Sequence, residues 1–89
     1  MKEIKELGSR VRYYRIAMGL KQTELAEKAA VSRDALSALE NGRTVKIETL
    51  ARILRGLGYS DALAELLPEP VISPIDLQKL EGKQRQRVR

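Results

Sequence analysis

The sequence predicts an all-α fold, a compact five-helix domain with a short C-terminal extension. Apolar residues recur at spacings of three and four through most of residues 1–67, as they do on one face of an α-helix. No segment alternates apolar and polar residues for long enough to form a half-buried strand. All three prolines, Pro68, Pro70 and Pro74, follow this helical region closely. We therefore divide the chain into a domain at residues 1–67 and an extension at residues 68–89.

The five predicted helices follow from these spacings and from residues that start or stop helices. The first covers residues 3–18 and ends before Gly19, a residue type common at helix C-termini. Its apolar stripe is Ile4, Leu7, Val11, Tyr14 and Met18. A short second helix over residues 23–29 turns Leu25, Ala26 and Ala29 inward.

The remaining helices have equally clear signals. Ser32 is a good N-cap for the third helix, which Asn41 and Gly42 end. The fourth begins at Ile47 and is closed by two glycines, and a fifth begins at Ser60 and ends before Pro68. The apolar face of the fourth helix comprises Ile47, Leu50, Ala51, Ile53, Leu54 and Leu57.

Composition excludes several classes of function. The 89 residues include 17 Lys and Arg against 12 Asp and Glu, a net charge of +5, and they contain no Cys or His. Without thiols or imidazoles, the usual nucleophiles, general bases and zinc ligands are missing. We expect no catalytic residues, no metal site, no cofactor and no enzymatic activity. The absence of long apolar runs and of a secretory leader predicts a cytoplasmic protein with no membrane contact.

The second and third helices form the informative part of the chain. They lie nearly head to tail across the short turn Ala30-Val31-Ser32, and their apolar positions would hold them at a steep angle. The outward positions of the third helix are Arg33, Asp34, Ser37 and Ala38. A helix presented in this way fits the major groove of double-stranded DNA.

This block resembles the lambda-repressor/Cro-type helix-turn-helix, also called the Xre family. The resemblance extends from about Leu7 to Leu67 and departs from the family at Ala30, where glycine is usual. If that residue needs a positive φ, alanine costs about 1 kcal/mol. The matching positions are Val11-Arg12, Arg15, Gly19-Leu20, Gln22, Leu25-Ala26, Val31-Ser32, Leu36-Ser37, Leu39-Glu40-Asn41-Gly42 and the leucine-rich fourth helix.

The resemblance implies a role for individual residues. Arg33, Asp34, Ser37 and Ala38 match positions that face the DNA bases. The positions that match contacts to the DNA backbone are Gln22, Thr23, Ser32, Asn41, Arg43 and Lys46. Arg15 and Glu40 match a pair that ties the first helix to the end of the recognition helix.

The fifth predicted helix is richer in large apolar residues than the small domain needs. These residues are Tyr59, Leu63, Leu66 and Leu67. The surplus is compatible with a cap over the core or with a two-fold interface, and the resemblance implies the interface. A homodimer would place two recognition helices about 34 Å apart on a palindromic operator. The leading interpretation is thus a homodimeric transcriptional regulator, most simply a repressor.

The extension leaves two functions open. Its last seven residues, 83–89, carry four positive charges and no negative charge, which suits an arm that binds DNA phosphates. Residues 71–89 also resemble the tails of antitoxin-type relatives such as HipB, which bind a kinase-type toxin protein and repress their own operon. The alternative function is therefore an antitoxin.

Overall fold

The structure, a computed structural model, describes residues 1–67 and 70 of the chain. These residues fold into four α-helices and contain no strand. The helices are α1 (Lys2–Ala17), α2 (Gln22–Ala29), α3 (Arg33–Glu40) and α4 (Ile47–Gly56). The predicted all-α class is confirmed, and the predicted start of α2 differs by a single residue. The predicted short helix and basic tip of the extension lie outside the described residues.

The predicted fifth helix is not an α-helix in the structure. Residues 60–63 form turns, followed by the single 3₁₀ turn Ala64–Leu66. Leu67 is already extended, with φ −116° and ψ 132°, because a following proline disfavours the helical conformation of the residue before it. The segment also buries little apolar surface, since Leu66 and Leu67 are exposed, whereas α2 and α3, each only eight residues long, are stabilised by packing in the core.

The core is aliphatic and lies where α1, α3 and α4 meet α2. Its buried members are Val11, Leu25, Ala26, Ala29, Leu36, Leu39, Ile53 and Leu57. Ala29 and Gly56 have almost no side chain, so α2 and α4 approach closely; a Cβ on Gly56 would lie 3.1 Å from the Ala29 Cβ. One expected core position is wrong. Ile47 is 71% exposed, because the first residue of α4 extends past the packed part of the helix.

The buried face of α1 is rotated from the predicted apolar stripe. Tyr14 and Met18 are exposed, whereas Gly8 and Arg15 are buried with Val11. Gly8 rests directly on the backbone at the end of α3, where an added Cβ would overlap the carbonyl oxygen of Leu39. This close contact sets the distance between α1 and α3.

The turn between α2 and α3 holds Ala30 in the left-handed conformation. This alanine has φ 60° and ψ 44°, and no other non-glycine residue among those described has a positive φ. Its carbonyl accepts a hydrogen bond of 3.2 Å from the Arg52 guanidinium of α4. The chain thereby keeps a strained alanine where glycine would be relaxed.

None of the described helices combines the length and the apolar character that crossing a membrane requires.

Candidate nucleic-acid interface

Helices α2 and α3 form a helix-turn-helix unit whose geometry follows from local capping and packing. The Ser32 hydroxyl accepts a hydrogen bond of 3.0 Å from the Ala35 amide, so Ser32 is the N-cap of α3, as predicted. Leu36 and Leu39 anchor α3 in the core. Because these leucines fix the inner face, the rotation of α3 about its axis is determined, and so is its outward face.

The outward face of α3 carries the side chains expected to meet DNA bases. Arg33 and Asp34 are exposed, while Ser37 and Ala38, one helical turn later, are half-buried. The Asn41 amide nitrogen donates to the Ser37 carbonyl at 2.9 Å and to its hydroxyl oxygen at 3.4 Å. The Ser37 hydroxyl keeps its own proton free to donate to an acceptor outside the protein.

A buried ion pair joins α1 to the last residue of α3. The Arg15 guanidinium donates to both carboxylate oxygens of Glu40, at 2.6 and 3.0 Å. Arg15 and Glu40 are only 8% and 9% exposed. Arg15 also donates to the Leu20 carbonyl at 2.8 Å, so it ties the loop before α2 to the same pair. Bidentate geometry of this kind fixes direction as well as distance.

Hydrogen bonds extend from this ion pair through Gln22 to Arg33, the first residue of α3. The Gln22 amide nitrogen donates to Glu40 at 3.0 Å, and its amide oxygen accepts from Arg33 at 3.1 Å. We call this chain of hydrogen bonds, from Arg15 through Glu40 and Gln22 to Arg33, the Arg15–Arg33 relay. It orients the Gln22 amide from both ends, since an acceptor faces the nitrogen and a donor faces the oxygen.

Two residues of the relay, Gln22 and Arg33, keep hydrogen-bond donors that are available for DNA. The Gln22 amide nitrogen has two hydrogens and uses one on Glu40, so the second is available for a phosphate oxygen. Arg33 has five N–H donors and uses one on Gln22. Enough remain for a bidentate contact with guanine O6 and N7, the commonest specific contact in the major groove.

The other residues expected to contact the DNA backbone surround α3. Arg43 follows the end of α3 in a loop closed by its amide, which donates to the Ala38 carbonyl at 2.9 Å. The five residues Thr23, Ser32, Asn41, Arg43 and Lys46 are all exposed. By their positions in the chain they lie at both ends of α3 and at the starts of α2 and α4.

The apolar surplus near the end of the domain is also largely exposed. Tyr59, Leu66 and Leu67 are 47%, 70% and 80% exposed, and Leu63 is half-buried. In the single chain, Leu66 and Leu67 therefore leave most of their surface uncovered.

Comparison with known proteins agrees with this geometry. The family described as "Helix-turn-helix domain" matches residues 6–67, which is most of the chain. The chain belongs to the helix-turn-helix domain family. The match supports DNA binding by this helix-turn-helix domain and covers every residue of the Arg15–Arg33 relay. No solved structure matches the chain.

Sequence reasoning missed two features of the site. The hydrogen bond between Gln22 and Arg33 joins the first residues of α2 and α3, which are 11 positions apart, and no helical period connects them. Gly8 was missed because a glycine in the middle of a helix contributes nothing to an apolar stripe. A glycine one turn before Val11, on the same face, was the available signal for close helix packing.

Proposed function

We propose that this protein is a sequence-specific regulator of transcription that binds a palindromic operator as a homodimer and represses by covering the promoter. The observation that carries the proposal is the Arg15–Arg33 relay. It holds a guanidinium on the outward face of α3 while anchoring that helix to α1 through a buried pair. A cytoplasmic location and the absence of catalytic activity are parts of the same proposal.

The charge distribution supports binding by shape and specific contacts more than by bulk attraction. Residues 1–67 carry 12 Lys and Arg against 9 Asp and Glu, a net charge of +3. Such a modest excess gives limited non-specific affinity. Recognition then depends on the few donors that α3 and its neighbours present, with Arg33 reading a guanine and the surrounding cations contacting phosphates.

The proposal is tested by selecting binding sites from random double-stranded DNA with the full chain at two salt concentrations. We expect an inverted repeat whose half-sites are centred about one helical turn apart. The R33A variant should lose the preference for one guanine in each half-site, at a cost of about 1–3 kcal/mol. R55A is the matched control, since Arg55 is also exposed but lies in the last turn of α4.

Two results would contradict the assignment. One is the absence of any enriched motif at either salt concentration. The other is a motif that R33A leaves unchanged, which would show that α3 does not read bases through Arg33. An enriched single half-site, without a repeat, would retain DNA recognition and remove the homodimer from the proposal.

A second function is proposed on the resemblance of residues 71–89 to antitoxin tails, a segment outside the described residues. In this case the chain also binds a kinase-type toxin and represses its own operon. Co-purification with such a kinase, abolished when residues 71–89 are deleted, would support it. If deleting residues 83–89 instead lowers the dependence of DNA binding on salt, by about 0.9 for each phosphate that is no longer bound, the tail is a DNA arm.

A further inference from the structure

An apolar groove lies between α1, α4 and Tyr59, which is three residues after the end of α4. Its volume is about 150 Å³, and the Tyr14 and Tyr59 rings meet edge to face at one side, with centroids 5.4 Å apart. Arg10 supplies a charged side chain at the groove. The full lining is Leu7, Arg10, Val11, Tyr14, Leu54, Leu57 and Tyr59. A space of this size and polarity suits one or two aliphatic side chains.

Two large aliphatic side chains a short way along the chain from Tyr59 are exposed. Leu66 and Leu67 are 70% and 80% exposed, and neither lines the groove of its own chain. The intervening residues are folded into tight turns, with the Ala62 amide donating to the Tyr59 carbonyl at 3.1 Å. At a helix-like rise of about 1.5–2 Å per residue, Leu66 is about 10–14 Å along the chain path from Tyr59.

The charges beside these two features are opposite in sign. Arg10 is at the groove, whereas Glu65 directly precedes the exposed leucines and Asp61 lies four residues before Glu65. The ion pairs found in residues 1–67 and 70 are Arg15–Glu40 and Arg52–Glu48, so neither acid is paired with Arg10 within one chain. An arrangement that brings the leucines of one copy to the groove of another also brings these charges together.

We propose that a second copy of this chain occupies the groove: Leu66 and Leu67 of each copy insert into the groove of the other, and Glu65 pairs with Arg10 across the interface. In a two-fold interface both copies use the same surface patch, so this patch must contain both the leucines that insert and the groove that receives them. This domain has both, within reach of each other. The inference rests on the proposed homodimer and assigns its surface, which extends from Tyr59 onto α1 and α4.

The first experiment measures self-association of the full chain by sedimentation equilibrium without DNA. L66S/L67S should weaken dimerisation by at least about 100-fold, because two leucines lose their burial. Both side chains are exposed in the single chain, so the helical circular dichroism should not change. I47S is the matched control, since Ile47 is equally exposed but begins α4, far along the helix from Tyr59. Equal weakening by I47S would overturn the assignment.

The second experiment is a charge exchange that only the proposed pairing explains. R10E and E65R should each weaken dimerisation by about 3- to 10-fold at low salt, and R10E/E65R should restore it. The groove contact would be overturned if neither single variant weakened dimerisation, or if the double variant did not restore it. Either result would leave the homodimer and DNA recognition intact.

The remaining outcomes concern other occupants. A wild-type chain that is monomeric at all concentrations would overturn this inference, whereas the DNA selection would still report recognition of a single half-site. If such a monomer dimerises only after I72S/I75S substitution in the full chain, the chain's own C-terminal segment covers the groove and the second-copy proposal is wrong.

Discussion

The Arg15 Nε lies 2.6 Å from the Glu40 Oε2, and this buried pair links α1 to the last residue of α3. The side chains are 10% and 2% exposed, so the pair is almost free of solvent screening. A buried pair adds little net stability over a well-packed apolar pair, but each charge strongly requires its partner. The value of the pair is therefore the orientation of α3, which Gln22 then transmits to Arg33.

Removing one partner of this pair should be costly. E40A leaves the Arg15 charge buried without its carboxylate, and we expect a loss of about 3–5 kcal/mol in the free energy of unfolding. Urea denaturation followed by circular dichroism measures it. E48A is the control, because the Glu48–Arg52 pair on α4 is exposed and should contribute less than about 1 kcal/mol. Similar losses in the two variants would contradict the structural role of the buried pair.

Removing the middle of the relay should affect recognition more than stability. In Q22A, Arg33 loses the acceptor that orients it, while the hydrogen bonds between Arg15 and Glu40 remain. We expect DNA affinity to fall about 10-fold, a cost of ~1.4 kcal/mol, with weaker preference at the base that Arg33 reads. Binding titrations measure both the affinity and the base preference when they compare the selected site with a site in which the guanine that Arg33 reads is replaced by another base. The control variant E27Q, on the exposed face of α2, should change neither the affinity nor the base preference. An unaltered base preference in Q22A would show that Arg33 does not need Gln22 to orient it.

Relaxing the turn between α2 and α3 should stabilise the domain. Ala30 has φ 60°, a conformation that glycine adopts without strain. We expect A30G to raise the free energy of unfolding by about 0.5–1 kcal/mol and the melting temperature by several degrees. The same change at Ala17, the last residue of α1, should not stabilise the domain, because glycine is a poorer helix former than alanine. A melting temperature that falls in both variants would mean that the turn does not strain Ala30.

Adding a side chain at Gly8, where α1 contacts α3, should destabilise the domain. Alanine is a better helix former than glycine by about 1 kcal/mol, yet a Cβ at Gly8 would overlap the Leu39 carbonyl. We expect G8A to destabilise by about 1–3 kcal/mol, as overpacking does, and to displace the Arg15–Glu40 pair. Thermal unfolding measures the loss, and S9A, an exposed neighbour in the same helix, is the control. Stabilisation by G8A would show that α1 has room to move away from α3.

The exposed cations beside α3 should act through phosphates and not through sequence. R43A and K46A are each expected to reduce the slope of log affinity against log salt by about 0.9, with the selected motif unchanged. Binding titrations at several salt concentrations measure the slope. R55A again supplies a matched control with the same change in charge. A change of motif in R43A would mean that this arginine reads a base.

Much of the architecture could be predicted because the apolar spacing is regular. The four α-helices and the Ser32 N-cap follow from local rules that act within a few residues. A positive φ at Ala30 was raised only as a condition, by the resemblance, and the structure shows it. The prediction of a fifth α-helix was wrong because the segment after Ser60 buries little apolar surface and because Pro68 disfavours the helical conformation of Leu67. The residues expected at the DNA interface could be named from periodicity and resemblance, and their roles remain predictions.

The sequence by itself determined the four segments that form α-helices, most of the apolar positions that they bury, and that the second and third form a helix-turn-helix, because these properties depend on neighbours along the chain. Only the tertiary structure decided that Gly8 and Arg15 form the buried face of α1, and that Gln22 connects Glu40 to Arg33. Hydrogen bonds between polar side chains on different helices depend on crossing angles and distances of a few ångströms. Helical periodicity specifies neither quantity, and in this domain the close approach at Gly8 sets them.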